Sequence, residues 1–315
     1  MPSFIIKRLA TLVPVLLGVS VAAFLSLALC PGDAAEIALR SMTEADTASP
    51  EALLQVRKEL GLDEPLTVQY GLWLGRTLQG DLGRSFQTGR PVSAEILRAL
   101  GPSAILAGSS MLLTLCIVLP LGSLAAAKPG SWVDRAAMGA SLLIVSLPDF
   151  CVGVILFLVF AVHWNLLPVA GYGTPGNLVL PAVTLAVASS SISTRLMRTL
   201  MVQALEEKFV ITARSKGMTE TRVVGLHAMR NALPPVLNYL GGQLGYLFGG
   251  AVVVESIFLW PGLGRLLVDA VKARDMFVVQ GCVLTIAAIY VSINLIMDLL
   301  QIILDPRQIE AGGHV

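Results

Sequence analysis

The chain has 315 residues, of which 55% are hydrophobic and only 14% are charged, with a formal net charge of +1 at neutral pH. Soluble globular domains carry about 25% charged residues, and proteins that bind nucleic acid carry a clear basic surplus. The composition therefore argues against a soluble domain and against a nucleic-acid-binding protein, and it indicates a membrane protein.

Stretches without charge predict the membrane spans, because a charged side chain is costly in the hydrocarbon core. Each such stretch is long enough for a helix of about 20 residues. The window between Arg135 and Arg195 contains only Asp149, and a polar, turn-rich stretch from Asn165 to Pro181 divides it in two. The sequence thus predicts six spans, within residues 1–30, 99–127, 136–162, 180–203, 231–254 and 276–297.

Basic residues in the connecting segments predict the orientation. Lys7 and Arg8 precede the first span, and Lys128 and Arg135 lie between spans two and three. Several basic residues lie between spans four and five, and no Lys or Arg lies between spans three and four. This pattern predicts cytoplasmic N- and C-termini and an external segment, 31–98. A cleaved signal peptide ending near Cys30 is the alternative for the first span, but Leu29 and the length of the apolar run favour an uncleaved helix.

The external segment 31–98 is predicted to be partly folded. Ser49 and Pro50 suit the start of one helix, which Gly61 can end, and a second amphipathic stretch follows at Leu66–Leu78. Its Tyr70 and Trp73 are typical of a membrane interface; they are the two aromatic side chains of this stretch. The segment is interpreted either as a structural cap or as a docking surface for an external partner.

Two further glycine patterns lie near the fifth span. Pro261, Gly262 and Gly264 predict a helix break followed by an amphipathic helix up to Asp275, which suits a re-entrant or interfacial element. Within the span, three glycines spaced by four lie on one helix face: Gly241, Gly245 and Gly249. Such a face permits close helix approach, either inside the subunit or against a second membrane subunit.

Motifs for chemistry are absent from the sequence. The four cysteines and three histidines are scattered, which disfavours a metal site. No P-loop sequence is present, so ATP must be bound elsewhere if it drives the protein. Asp149 and Asp298 lie at or inside span edges, and as two isolated acids they make a weak case for a proton relay.

The segment 204–231 is predicted to form a helix, a break and a second helix. Gly217 suits a left-handed C-terminal position and Thr219 can cap the second helix. Phe209, Val210, Ala213 and Met218 give the first helix an apolar side. Residues 206–230 carry five Lys/Arg and three Asp/Glu, and at about 1 kcal/mol per basic residue this surplus is a weak lipid anchor.

A family resemblance explains this segment. FVITARSKGMTETRVVGLHAMRNALPPVL resembles the cytoplasmic loop of ABC importer permeases of the dipeptide, oligopeptide and nickel branch. The positions that match the family's motif are Thr212, Ala213, Arg214, Gly217, His227, Arg230, Asn231 and Ala232. The broader permease motif begins with Glu, where this chain has Ile211. KRLATLVPVLLGVSVAAFLSLALCPGD, LGLDEPLTVQYGLWL and ESIFLWPGLGRLLVDAVKARD extend the resemblance over nearly the whole chain.

The resemblance implies a B-type permease subunit of a bacterial inner-membrane importer. It implies an all-α fold with six transmembrane helices, divided as 1–30, an external loop domain 31–98, a permease core 99–303 and a tail 304–315. The implied partners are a C-type permease, two ABC ATPases that bind ATP and magnesium, an external solute-binding protein and the lipid bilayer. The segment 204–231 becomes the coupling segment, with ATPase contacts expected at Phe209, Val210, Thr212, Ala213, Arg214, Lys216, Gly217 and Met218.

The implied cargo is a di- or oligopeptide, with chelated nickel or another metal and glutathione-like molecules as alternatives. Two other classes remain as hypotheses. A self-contained secondary transporter usually has internal repeats, and none is seen here. A membrane enzyme would need a nucleophile, metal ligands or paired acids at one depth, and the sequence does not group them.

Overall fold

The computed structural model describes residues 2–28, 54, 57–58 and 63–304 of the chain. Regular structure in these residues is helical, apart from one isolated antiparallel bridge between Arg84 and Pro91. The predicted all-α class is therefore confirmed for the part of the chain that is described. The predicted helix beginning near Ser49, and residues 305–315 of the predicted tail, lie outside the described residues.

The helices of the described residues are numbered here along the chain. In chain order they are α1 (Pro2–Ala28), α2 (Leu66–Leu78), α3 (Val92–Ala127), α4 (Trp132–Val145), α5 (Asp149–Leu156), its π-helical continuation π1 (Phe157–His163), α6 (Pro175–Glu206), α7 (Lys208–Ser215), α8 (Glu220–Arg222), the π-helical π2 (Val223–Ala228), α9 (Met229–Gly250), α10 (Val252–Ile257), α11 (Leu263–Lys272) and α12 (Met276–Leu304).

The chain divides into two compact units, and the first comprises residues 1–103 and 261–291. Its core joins the start of α3, the helix α11 and the first part of α12 through Val92, Ile96, Ala99, Leu263, Ala270, Val278, Val279 and Cys282. Gly281 permits this close approach, because a Cβ there would lie 2.7 Å from Val92 Cγ1. The break at Pro261–Gly262 and the following helix α11 are found as predicted.

The amphipathic stretch predicted around Leu66–Leu78 is confirmed as a helix, α2. Tyr70 and Trp73 pack against Phe24 of α1, with ring centroids 5.5 Å and 5.7 Å from that ring. The hydroxyls of Ser20 and Tyr70 are 2.8 Å apart. These contacts hold α2 against α1, and a position of the two aromatic residues at a membrane interface remains a prediction.

The second unit comprises residues 104–260 and 292–315, and its described core is organised around α6. One cluster of buried side chains joins α6 to α3 and α9, and includes Val118, Met197, Met201, Val236 and Leu240. A second cluster includes Leu106, Leu185, Leu247, Phe258 and Trp260. Both faces of α6 are therefore packed, which explains why its window is the most buried of the apolar helices.

The span predicted at 136–162 is wrong as a single helix. The structure breaks it into α4 and the pair α5–π1, which meet at an angle of 104°. Pro148, the residue before α5, lacks an N–H donor and interrupts the helical hydrogen bonds, so the chain bends sharply at this position.

Three continuous helices of the described residues are long and apolar enough to cross a membrane: α3, α6 and α12. The bent pair α4 and α5–π1 is a fourth candidate, and the apolar part of α1, Ala10–Ser26, is shorter. α3 begins at Val92, before the predicted 99–127, and α6 extends at both ends beyond the predicted 180–203. The count of six spans remains a prediction.

A bidentate ion pair joins the start of α4 to α6. The Nε and Nη2 atoms of Arg198 donate to the two carboxylate oxygens of Asp134, each at 2.8 Å. The Gly130 N–H donates to the same carboxylate at 2.8 Å, and Asp134 is only 4% exposed. We call this ion pair the brace, because its two hydrogen bonds hold the start of α4 against α6. Removing one partner would leave the other charge uncompensated, which costs free energy of folding.

Removal of either partner of this brace should destabilise the second unit. Loss of one partner of a fully buried pair costs about 3–5 kcal/mol, and the partial exposure of Arg198 reduces the expected loss to about 2 kcal/mol. We therefore expect Asp134→Asn and Arg198→Met to lower the melting temperature of the detergent-solubilised protein by several degrees. Arg195→Met is the matched control, because Arg195 is exposed on the same helix. Equal melting temperatures for Arg198→Met and Arg195→Met would contradict the brace.

Candidate functional site

The candidate site is the segment that follows the long helix α6. This helix ends at Glu206, and Glu207 takes an extended conformation with ψ 150° that redirects the chain. The next helix, α7, is only eight residues long (Lys208–Ser215). A helix this short is not stable by itself in water, so its position depends on packing against the rest of the unit.

A left-handed turn at Gly217 ends α7. Gly217 has φ +78°, the conformation that the sequence predicts for this position. Its N–H donates to the Arg214 carbonyl at 2.9 Å, and the Met218 N–H donates to the Ala213 carbonyl at 3.3 Å. These bonds satisfy carbonyls that the helix end leaves free. No other atom lies within 4 Å of the position that a Gly217 Cβ would take, so the backbone alone makes glycine preferable here.

An ion pair joins the residue Arg214, before the turn, to Glu220, after it. Arg214 Nη2 donates to Glu220 Oε1 at 2.6 Å, and Arg214 Nε donates to Oε2 at 3.2 Å. The hydrogen bond from Arg214 lowers the pKa of Glu220, and the same bond raises the pKa of Arg214. Arg214 is one of the expected ATPase contacts, and in this structure it binds an acid of its own chain.

The apolar side of α7 is turned toward its own subunit. Val210 is fully buried and Ala213 is 5% exposed, and both pack with Val223 of π2. Met218 lies half-buried against this cluster. The expectation that Val210 and Ala213 contact an ATPase therefore does not fit their burial: the two residues fasten the segment to its own subunit.

The opposite side of α7 is open. Ile211 is 57% exposed and Phe209 is 38% exposed. Residues 210 and 213 share one face of a helix of 3.6 residues per turn, so residues 211 and 212 point away from that face. Four of the remaining predicted contact residues are exposed: Thr212, Arg214, Lys216 and Gly217. In the sequence, Ile211 stands out only as the residue that replaces the family's Glu. Its apolar side chain was the available signal for a contact residue on the exposed side of α7.

The glycine face of α9 packs inside the subunit at Gly241. A Cβ on Gly241 would collide with the Met297 side chain of α12. Gly245 is buried and Gly249 is half-buried. Of the two interpretations of this face, packing within the subunit accounts for Gly241, and a permease–permease interface remains a prediction for the other two.

Comparison with known proteins agrees with this architecture. Residues 118–310 match the family "Binding-protein-dependent transport system inner membrane component", and residues 1–107 match the N-terminal family of the same membrane component. The chain belongs to this permease family. The permease is accordingly an integral inner-membrane protein and a transport subunit of an ABC importer.

Relatives of the permease match almost all of this chain. It is 40% identical over 315 residues to a putative peptide transport system permease protein of Brucella abortus, covering 98% of this chain and 99% of the relative. It is also 40% identical over 306 residues to the glutathione transport system permease protein GsiC of Salmonella typhi, covering 97% and 98%.

Solved structures show the same fold at low sequence identity. The MetNI methionine ABC transporter in an inward-facing conformation matches with a TM-score of 0.58 at 17% identity, covering 67% of the permease and 96% of that chain. An amino acid ABC transporter with histidines matches with a TM-score of 0.50 at 18% identity, covering 68% and 94%. These matches support the helical architecture and carry no residue-level assignment.

Proposed function

We propose that the permease is the B-type membrane subunit of an ATP-driven importer whose cargo is a di- or oligopeptide. It would pair with a C-type permease, and two ABC ATPases would bind ATP and magnesium. An external solute-binding protein would deliver the cargo. The 40% identity to permeases named for peptide and for glutathione transport supports this class of cargo. Glutathione-like molecules, nickel and other metal chelates are the alternatives.

The observation that carries the proposal is the geometry of the segment 204–231. One side of α7 is fastened to the permease through Val210 and Ala213, and the other side exposes Ile211. Because its buried side is packed against the permease, α7 is held in place on its own subunit. A partner that contacts its exposed side can therefore transmit movement to the permease through α7. The absence of a P-loop from the sequence is consistent with ATP being hydrolysed by partner subunits.

The domain arrangement and orientation are part of the same proposal. Residues 1–30 would form the first span, 31–98 an external loop domain, 99–303 the permease core and 304–315 a cytoplasmic tail. The basic residues between α6 and α9 support a cytoplasmic location of the coupling segment, since the positive-inside rule applies to short loops.

Co-purification and reconstituted uptake test this function. The permease, expressed with the products of neighbouring genes, is expected to co-purify with two ATPase subunits and a second permease. Proteoliposomes that contain the complex and its binding protein should accumulate alanyl-alanine only when ATP is present. Uptake by the permease alone, driven by an ion gradient without ATP, would instead support a secondary transporter and would contradict the proposal.

The ion pair of the coupling segment gives a pH-dependent prediction. Because the pKa of Glu220 is lowered in the folded protein, the pair stabilises the segment above the ordinary glutamate range and loses its effect as the pH falls through the lowered value. Both side chains are well exposed, so we expect a small effect. Amide hydrogen exchange at Lys216 and Met218 should be faster in Glu220→Gln than in the wild type at pH 7.

The difference between Glu220→Gln and the wild type should shrink as the pH falls below the ordinary glutamate range, and it should disappear once the pH is below the lowered pKa of Glu220, when both are measured at the same pH. Comparison at one pH cancels the intrinsic pH dependence of exchange. A difference that persists unchanged in acid would show that the substitution acts through something other than the charge of Glu220.

A further inference from the structure

A cleft of about 260 Å³ opens in the second unit, at the bend between α4 and α5. Its walls come from the bend itself, from the middle of α6 and from α9. The polar side chains among the lining residues are Asp149, Ser189, Ser191, Gln243 and Tyr246. The volume lies just below the range for drug-sized ligand pockets, about 300–1,000 Å³, and suits one amino-acid-sized group.

Asp149 gives the cleft its charge. It is the first residue of α5, directly after Pro148, and it is half-buried. Among the described residues, no Lys, Arg or His forms an ion pair with its carboxylate. A helix N-terminus favours an acid in this position, but that preference does not explain why two other helices add polar side chains to the same cleft.

Those side chains present acceptors and an aromatic ring. Gln243 Nε2 donates to the Tyr239 hydroxyl at 2.8 Å, which leaves the carbonyl oxygen of Gln243 as the acceptor available for another partner. Ser191 already donates its hydroxyl hydrogen to the Ala188 carbonyl at 2.9 Å, so its oxygen is also left to accept. The Tyr246 ring is 52% exposed, and an aromatic face attracts a cation.

From this combination we infer that the cleft is a binding subsite for the primary ammonium group of the cargo. A carboxylate with no partner cation, an amide carbonyl, a hydroxyl oxygen and a ring face match a group that donates three hydrogen bonds and carries one positive charge. The inference rests on the proposed function, because a free peptide carries such an ammonium group at its N-terminus. Asp149 supplies the charge recognition, and Gln243 and Tyr246 supply the directional contacts.

Binding to the purified complex without its binding protein tests the subsite directly. Calorimetry with alanyl-alanine is expected to give measurable affinity for the wild type, and Asp149→Asn should weaken that affinity at least tenfold. N-acetyl-alanyl-alanine, which lacks the ammonium group, should bind no better to the wild type than to Asp149→Asn. Ser146→Ala is the matched control, because Ser146 lies in the same bend but does not line the cleft.

The remaining outcomes separate the subsite from the proposed function. Equal affinity of the wild type and Asp149→Asn for alanyl-alanine, or no binding to either, overturns the subsite if ATP-driven uptake of alanyl-alanine by the wild-type complex is normal. Absent uptake of alanyl-alanine contradicts the proposed function itself. If the measured binding depends on the sodium concentration and is the same for the acetylated and the free peptide, the cleft is an inorganic-cation site, and this result also overturns the inference.

Discussion

Gly217→Val is expected to uncouple transport from ATP hydrolysis while the complex still assembles. The valine would have to adopt φ +78°, which is strained for a β-branched residue by about 1–3 kcal/mol. The open space around Gly217 means that no clash with the rest of the subunit accompanies the strain. We expect at least a tenfold loss of ATP-driven uptake in proteoliposomes, with ATPase subunits retained in the purified complex.

Gly217→Asn is the matched control for this experiment. Asparagine tolerates the left-handed conformation better than any β-branched residue, because its short polar side chain can hydrogen-bond locally. It should therefore retain most of the uptake. Normal uptake by Gly217→Val would contradict a mechanical role for the turn, and equal losses in both variants would point to the side-chain volume instead of the backbone.

Ile211→Asp is expected to weaken attachment of the ATPase without unfolding the permease. Ile211 is 57% exposed in the subunit alone, so replacing it removes few internal contacts. If it enters a groove on the ATPase, an aspartate would bury an unpaired charge there. Central interface residues of this kind cost about 2 kcal/mol or more when changed, which corresponds to roughly thirtyfold in the dissociation constant. Co-purification of the ATPase should fall accordingly.

Val169→Asp is the matched control, because it also replaces an exposed aliphatic side chain with aspartate. Val169 is 51% exposed in the connection before α6, whereas Ile211 lies shortly after the end of this helix. A helix of 32 residues is about 48 Å long, so the two positions are at opposite ends. Val169→Asp should leave ATPase binding unchanged, and a loss of ATPase with both variants would indicate a general defect in folding.

Local sequence signals were sufficient for some elements. The helix Leu66–Leu78 and the turn at Gly217 depend on residues close in the chain, and both are found as predicted. The break at Pro261–Gly262 belongs to the same class. In each of these places the backbone preference of proline or glycine, or an amphipathic period, determines the structure without distant partners.

Other features depend on tertiary contacts that a linear pattern does not contain. Charge-free windows measure length and polarity, so they did not reveal that the stretch 136–162 bends by 104°. The amphipathic pattern of α7 identified an apolar side but not its partner, which proved to be Val223 of the same chain. The pairs Asp134–Arg198 and Arg214–Glu220 join residues on different elements, and nothing in their spacing predicted them.

Site-specific photocrosslinking from the coupling segment tests the central claim most directly. A photoreactive amino acid at residue 211 of the permease, in a complex that imports alanyl-alanine with ATP, is expected to crosslink to the ATPase subunit. The same amino acid at residue 169 is expected to give no such product. An active complex that yields no ATPase crosslink from residue 211, or an equal yield from residue 169, would contradict the assignment of this segment as the coupling contact.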